Sequence, residues 1–497
     1  MAFQRPGVYV QEVLNPIQST VGPNSDSIGA FVGANDRGPT LPTLVTSWSQ
    51  YTNLFGSWNT NASNNLALGV YMFFANGGSR AYVKRVVGNG AVSALRTFND
   101  RAGTPLATLR LTAKNEGTWG NNLNASISDS LTSGKFDLTI YYGGNTDADI
   151  VERFTDLSMT STDTRYAVTA INGSSTYVVA TDLSSATAGA NKNPSVVSNQ
   201  ALSTGANGAA VGNITSYSDF DVIKQSLILN VPGATTAATI NAAISYAEGR
   251  DDVFVVIDST SVDAAAALSL AATYTASSYA AVYYPPLVIS DPTVGVGGAS
   301  GQVQTVGAGA ALVGLYSATD ASRGVFKAPA GLQTRVAGAV SVKTLTNAEL
   351  DSMNSAAAPV NAIKFVPGSG IVVMGSRTLK AGYVDKYIPV RRTLIYLRKA
   401  LTDLTEFAIF EPNDEALWRR VNATVSGFLT GFWSQGGLRG ATPQQAFFVK
   451  IDATNNPQGS IDNGEVHLEV GVALQRPAEF VVIKIGQFDG GTTVTVA

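Results

Sequence analysis

The chain has 497 residues, of which 45% are hydrophobic and 14% charged, and its formal net charge is -3. The length is too great for one simple core, so about three domains are expected, and the near balance of 33 Lys+Arg against 36 Asp+Glu leaves no basic excess for nucleic acid or anionic lipid. With no cysteine, disulfides, thiolate nucleophiles and Cys-based metal sites are excluded.

A charged fraction this far below the roughly 25% of average domains fits a surface hidden in an assembly. No run reaches ~18 consecutive apolar residues, so no transmembrane helix is expected. The first thirty residues lack an apolar core of signal-peptide type, so synthesis in a cytoplasm is expected.

Residues 1–22 read as an arm. Val8 and Val10 alternate with Tyr9 and Gln11, a strand pattern running to Val13. Asn15-Pro16 and Gly22-Pro23 then break the chain twice. Two readings stand here: a first strand of the chain's own sheet, or a strand donated to a neighbouring subunit. Residues 23–94 read as α/β. Ile28–Gly33 is a strand, Ser47–Gly56 a short helix ending at glycine, Leu66–Asn76 a helix closed by Gly77-Gly78, and Ala81–Val87 a strand.

From 95 to 215 Ser, Thr, Asn and Gly dominate. Phe136–Tyr142 and Ser175–Ala180 alternate at sandwich spacing, which predicts a β-rich inserted domain, and 182–212 reads as loop. Residues 216–375 return to α/β and are expected to pack with 23–94. Thr239–Gly249 and Ala264–Tyr274 read as helices. Asp252–Asp258 is a largely apolar strand of parallel type, and Pro285-Pro286 stops the strand Ala281–Tyr284. A Gly-rich loop is expected from Gly295 to Gly309.

In residues 376–497, Leu394, Leu397, Leu401, Leu404 and Ala408 follow helical spacing, which predicts a one-faced amphipathic helix from Arg391. Asn413 or Asp414 caps the next helix, whose stripe is Leu417, Val421, Val425, Phe428 and Phe432. Two or three strands follow, the last being Phe480–Ile485.

Catalytic chemistry finds little support. The single histidine, His467, sits in the alternating segment Val466–Val470 and reads as a strand residue. A zinc site needs more His or Cys than this chain owns, so no metal or cofactor is expected. Asp258 ends a strand where α/β folds place active groups. That domain holds no histidine and no G-x-S-x-G elbow, so Asp258 reads as the start of a loop, with Asp251 and Asp252 closing a helix-strand turn. Gly295–Gly301 fails the spacing of both dinucleotide and P-loop motifs. The basic pairs Arg391-Arg392, Arg398-Lys399 and Arg419-Arg420 fit either solvated faces or an electrostatic contact to an acidic partner surface, and no aromatic interleaving suggests nucleic acid.

An ordered series of motifs runs along most of the chain. It comprises Arg5-Pro-Gly-Val-Tyr-Val10, Asn115-Glu-Gly-Thr-Trp-Gly-Asn121, Gly314–Asp320, Arg323–Gly331 and Met374–Leu379. It continues with Phe410-Glu-Pro-Asn-Asp414, Phe428–Ala441, Ala446–Val449, Ile461–Gly464 and Arg476-Pro-Ala-Glu-Phe480. This series resembles the contractile tail sheath protein family of myovirus-type phages, least so over about 130–215.

The resemblance implies a multidomain α/β and α+β chain. Its parts are a non-catalytic α/β domain of subtilisin-like fold, a β-rich inserted sandwich, and an α+β C-terminal core domain (376–497) with strand-donating arms. It implies two inter-subunit strands, Val8, Tyr9, Val10, Gln11 and Val13 at one end and Phe480, Val481, Val482, Ile483 and Ile485 at the other. Asn15, Pro16, Gly22, Pro23, Pro477 and Gly486 are then the hinges. The family places the C-terminal domain innermost, which makes Arg391, Arg392, Arg398, Arg419 and Arg420 candidate tube contacts. Implied partners are the chain itself, as hexameric rings stacked into a helix, a tail tube protein, and baseplate and tail terminator proteins, with no nucleic acid and no membrane insertion. The implied location is the virion tail, assembled in the host cytoplasm. A headless contractile injection particle, a hydrolase built on the α/β domain, and a carbohydrate-binding protein built on 95–215 are the rival readings.

Overall fold

The computed structural model describes residues 27–58, 65–292, 302–382 and 386–479. Both expected arms and the hinge positions Asn15, Pro16, Gly22, Pro23 and Gly486 lie outside these residues.

An eight-stranded sheet organises the first of two compact units, residues 25–322 with 329–386. Its strand order is Gly370–Val373, Val360–Val366, Ala280–Tyr284, Val253–Asp258, Leu227–Asn230, Ile28–Ala34, Ala81–Val86 and Thr43–Val45. The inner strands pair in parallel, and the two edge strands run antiparallel. Val253–Asp258 is buried at every residue, as a strand covered on both faces must be, which explains its unbroken apolar run.

The helix Asn65–Ala75 is apolar almost all round because it is enclosed. Phe73 meets Phe31 of the sheet edge-on at 5.2 Å. On another side the helix Gly309–Arg323 approaches so closely that a methyl group on Gly314 would lie 2.4 Å from the Phe73 carbonyl oxygen. The helix Trp48–Phe55 begins where Ser47 Oγ accepts the Gln50 N–H at 3.1 Å and stops at Gly56 with φ 87°.

Between Ala81–Val86 and Leu227–Asn230 the chain builds a β-rich insert. One sheet has Ala107–Ala113 between Leu95–Asn99 and Val178–Asp182. The other runs Val197–Ala201, Leu123–Asp129, Phe136–Tyr142, Ile150–Leu157. Phe98, Leu111, Ile127, Leu138 and Phe154 from both sheets share one core. The alternation read in Phe136–Tyr142 places Phe136, Leu138 and Ile140 inside. The helix Ala167–Ser174, which the strand signals gave no reason to expect, buries Ala167 and Ile171 against the same core.

The second unit comprises residues 323–328 and 387–479 of the described chain. The chain therefore passes between units at 322–323, again at 328–329, and a third time at 386–387. The short excursion is anchored: Val325 enters the core of the second unit, and Phe326 meets Phe432 edge-on at 5.4 Å.

Three expectations need correction. The Gly-rich stretch expected to be loop as far as Gly309 contains the strand Val303–Val306, paired with Leu287–Ser290. That partner strand starts directly after Pro286, so the two prolines redirect the chain into a second sheet. The loop expected over 182–212 contains the strand Val197–Ala201, whose polar residues hide its pairing with Leu123–Asp129. The strand expected at Val466–Val470 begins instead at Glu469 and runs to Val472.

Asp100 ties the insert together. It is fully buried and accepts from the Ser185 and Thr187 hydroxyls and from the Ala102 and Leu106 amides. The Ser185 hydroxyl first, then the Leu106 amide, holds its carboxyl well below the ordinary 3.8. A depressed carboxyl contributes stability above the unfolded value and loses it as pH falls below. Asp100→Asn is expected to melt lower than the native chain at pH 7, with the gap only beginning to narrow as pH falls below ~4; thermal melts from neutral to acid pH check it.

Candidate functional site

Two long helices frame the second unit. Ile388–Thr405 carries Pro389 in its first turn, where no amide partner is needed. Glu415–Ser434 is capped by Asp414, whose carboxylate accepts the Leu417 N–H at 2.8 Å. Leu397 and Leu401 of the first helix meet Leu417, Val421, Val425, Leu429 and Phe432 of the second in one core. Phe428, read as part of that stripe, packs half-buried at its margin.

Against this core lies an antiparallel pair, Phe447–Lys450 with Glu469–Val472. Phe447, Val449, Val470 and Val472 face the core, while Phe448 remains 37% exposed on the other face. Among the described residues this sheet has two strands only. The Ala473 N–H bonds to the Ala446 carbonyl, one register step before the Phe447–Val472 pair. Antiparallel pairing alternates, so the main-chain groups of Phe447, Val449, Val470 and Val472 turn towards the outer flanks. A two-stranded sheet is marginal alone, and such flanks are templates for a further strand.

A side-chain clasp sets the entry to the second strand. Asn456, 1% exposed, accepts the His467 N–H at 2.6 Å and donates to the His467 carbonyl at 2.9 Å. Asn455 donates to that carbonyl at 3.0 Å and to the Lys450 carbonyl at 2.9 Å. The two amides imitate strand pairing across the turn. The His467 ring meets the Glu465 carboxylate at 3.2 Å.

The arginines singled out in sequence divide. Arg391 and Arg392, in the first turns of their helix, are each 4% exposed. Arg398 is half-buried. Arg419 and Arg420 are exposed and lie near Glu415 at 3.5 Å and Glu411 at 3.1 Å, and Arg420 also covers the Phe407 ring at 4.7 Å. Pro477 is half-buried. The strand arms themselves lie outside the described residues.

The profile of the phage tail sheath C-terminal domain matches residues 385–487. This stretch covers both helices, the two-stranded sheet and its clasp. Residues 385–487 are thus similar to the C-terminal domain of phage tail sheath proteins. The tail sheath protein of Vibrio phage KVP40 is 29% identical over 126 residues, 25% of this chain and 18% of that protein's length. Over nearly the whole chain the fold is similar to those of solved sheath subunits. One is from the contracted PVC sheath complex of an extracellular contractile injection system, with TM-score 0.58 and 22% identity over 98% of both chains. Another is the sheath tail protein of Listeria innocua, with TM-score 0.60 and 14% identity over 92% of this chain and 96% of that one.

Outside the C-terminal unit, Asp258 was the residue to test for catalysis. It is 1% exposed and accepts the Gly233 N–H at 2.7 Å and the Gly309 N–H at 2.5 Å. It thus ends its strand by capping the helix Gly309–Arg323. Burial pushes its carboxyl above the ordinary 3.8, against the lowering effect of these amides and Asn230. Among the described residues no group of three or more His, Asp or Glu could hold a metal ion. Sequence reading missed the cap because its partners, Gly233 and Gly309, are distant in the chain; it missed the Asn455-Asn456 clasp although adjacent Asn residues before a turn are a usable signal.

Asn456→Ala strips the His467 amide of its acceptor and is expected to cost roughly 1–3 kcal/mol of stability in the C-terminal unit, read as a lowered denaturant midpoint. Asp258→Ala orphans two buried amides and is expected to cost at least about 2 kcal/mol, with no change in peptidase or esterase background. Because the folded carboxyl is raised, its contribution is fullest below pH 3.8 and declines as pH rises through the folded value. Asp258→Asn is expected to flatten that part of the stability–pH curve.

Proposed function

We propose that the chain is a structural sheath subunit that polymerises around a tail tube and contracts to drive the tube through a target cell envelope. The observation that carries this reading is the two-stranded sheet with outward-turned flanks inside a tail sheath C-terminal domain. Main-chain bonds to an added strand contribute ~0.5–1.5 kcal/mol net each. Four to six of them, with apolar side chains, give roughly several kcal/mol per arm, comparable to a domain's own stability.

In this reading Val8, Tyr9, Val10, Gln11 and Val13 of one subunit, and Phe480, Val481, Val482, Ile483 and Ile485 of another, fill those flanks. The breaks at 15–16, 22–23, Pro477 and Gly486 absorb the reorientation between an extended and a contracted lattice. The partners are further copies of the chain in stacked rings, a tube protein, and baseplate and terminator proteins. Exposed Arg419 and Arg420 are the better placed of the basic residues for an acidic tube surface, since Arg391 and Arg392 are buried. The chemistry is non-covalent throughout. The likeness to a subunit of an extracellular injection system keeps a headless particle as the second reading beside a phage tail.

Deleting residues 1–13 is expected to leave a folded monomer with unchanged circular dichroism that forms no sleeves by negative-stain electron microscopy. Normal sleeves from the truncated chain overturn the arm mechanism. Absence of sleeves from the full chain, with its tube protein supplied, overturns the sheath reading.

A further inference from the structure

Two arginines stand where the β-rich insert meets the α/β sheet, inside one compact unit. Arg37 follows the strand Ile28–Ala34 and is 8% exposed. Its Nη2 donates to the Thr52 and Asn53 carbonyls, each at 3.1 Å. These belong to the last turn of the helix Trp48–Phe55, where carbonyls lack helical partners and a cation is favoured.

Three rings of the insert surround the same guanidinium. Its central carbon lies 5.7 Å from the Trp119 ring, 5.6 Å from Tyr142 and 4.7 Å from Tyr177. The rings support one another, Trp119 with Tyr142 at 6.2 Å and Tyr142 with Tyr177 at 5.9 Å. Gly56 leaves room for the side chain: a methyl group there would be 3.1 Å from Arg37 Nε. A cation held among ring faces is attracted by their quadrupoles, and more strongly when water is excluded.

Arg85, on the sheet strand Ala81–Val86, works beside it. Its Nε donates to the Asn35 carbonyl at 2.7 Å, and its Nη2 to the carbonyls of Asp36 at 2.8 Å and Glu116 at 2.9 Å. Burial lowers it to about 10, so it stays cationic at neutral pH. Arg85 fixes the loop that presents Arg37, and Arg37 reaches the insert.

We propose that Arg37 is the pin that makes the β-rich insert and the α/β sheet one mechanical body. Apart from the single Arg85 bond to the Glu116 carbonyl, the insert is joined through its two connecting segments, which bridge each other at Val92 with Ala206 and Leu95 with Ser203. Such a stalk alone permits swinging, and the caged guanidinium removes that freedom. The inference concerns the free chain and stands whether or not the chain is a sheath subunit.

The test is hydrogen exchange of the full-length protein, followed region by region through thermal unfolding. In the native chain, the insert strand Phe136–Tyr142 and the sheet strand Val253–Asp258 open in one transition, with the helix Glu415–Ser434 as internal reference. In Arg37→Met the insert opens separately at lower temperature. Amides at 35–38, 116–122 and 175–178 then exchange about tenfold faster in the native range. Arg37→Lys, which keeps the charge and loses the fork, falls between the two. Leu138→Ala shifts the common transition in the native background but only the insert transition beside Arg37→Met. Separate transitions in the native chain overturn the proposal, as does a single transition with unchanged exchange in Arg37→Met. If that variant does not fold, the same two readouts on Arg37→Lys decide.

Discussion

A strand edge must be paired, covered, or handed to another chain, because a main-chain amide without an acceptor is costly. The two units meet this constraint differently. The α/β sheet ends on short antiparallel strands, Thr43–Val45 and Gly370–Val373, and keeps its parallel centre enclosed. The C-terminal sheet stops at two strands among the described residues and leans on the helix Glu415–Ser434 for its stability. Its outward-turned main-chain groups at Phe447, Val449, Val470 and Val472 are what the proposed assembly rests on.

Much of this was legible in sequence wherever a local rule and a global need agree. The helix Glu415–Ser434 has a capping aspartate, a stripe at helical spacing and glycines beyond its end, and all three signals coincide with its observed bounds. Val253–Asp258 could be recognised because enclosure on both faces demands an apolar run. The strand Val303–Val306 escaped notice because four residues beside a glycine-rich run carry too little periodic signal. Arg391 and Arg392 read as surface charges, yet their long apolar stems allow burial, and their place is set by tertiary packing that no short window reports. The Arg37 cage was equally hidden, since its members are spread from position 37 to 177.

The acidic groups show why a residue type at a suggestive place is not yet chemistry. Asp258 sits at the carboxyl end of a parallel strand, where α/β enzymes carry active groups. Here the carboxylate closes a helix terminus and a turn. Asp100 does the same for a loop of the insert. Their carboxyls are shifted in opposite directions, Asp258 raised by burial and Asp100 lowered by its donors.

Among the described residues the backbone passes between the units three times, and this has a mechanical reading. A unit joined by a single connector can twist freely about it, and one cut separates the halves. Here residues 323–328 loop out and back with Phe326 lodged beside Phe432, so among the described residues three covalent connectors join the units. Tension reaching one unit is divided among them, and nicking any one leaves the halves tethered.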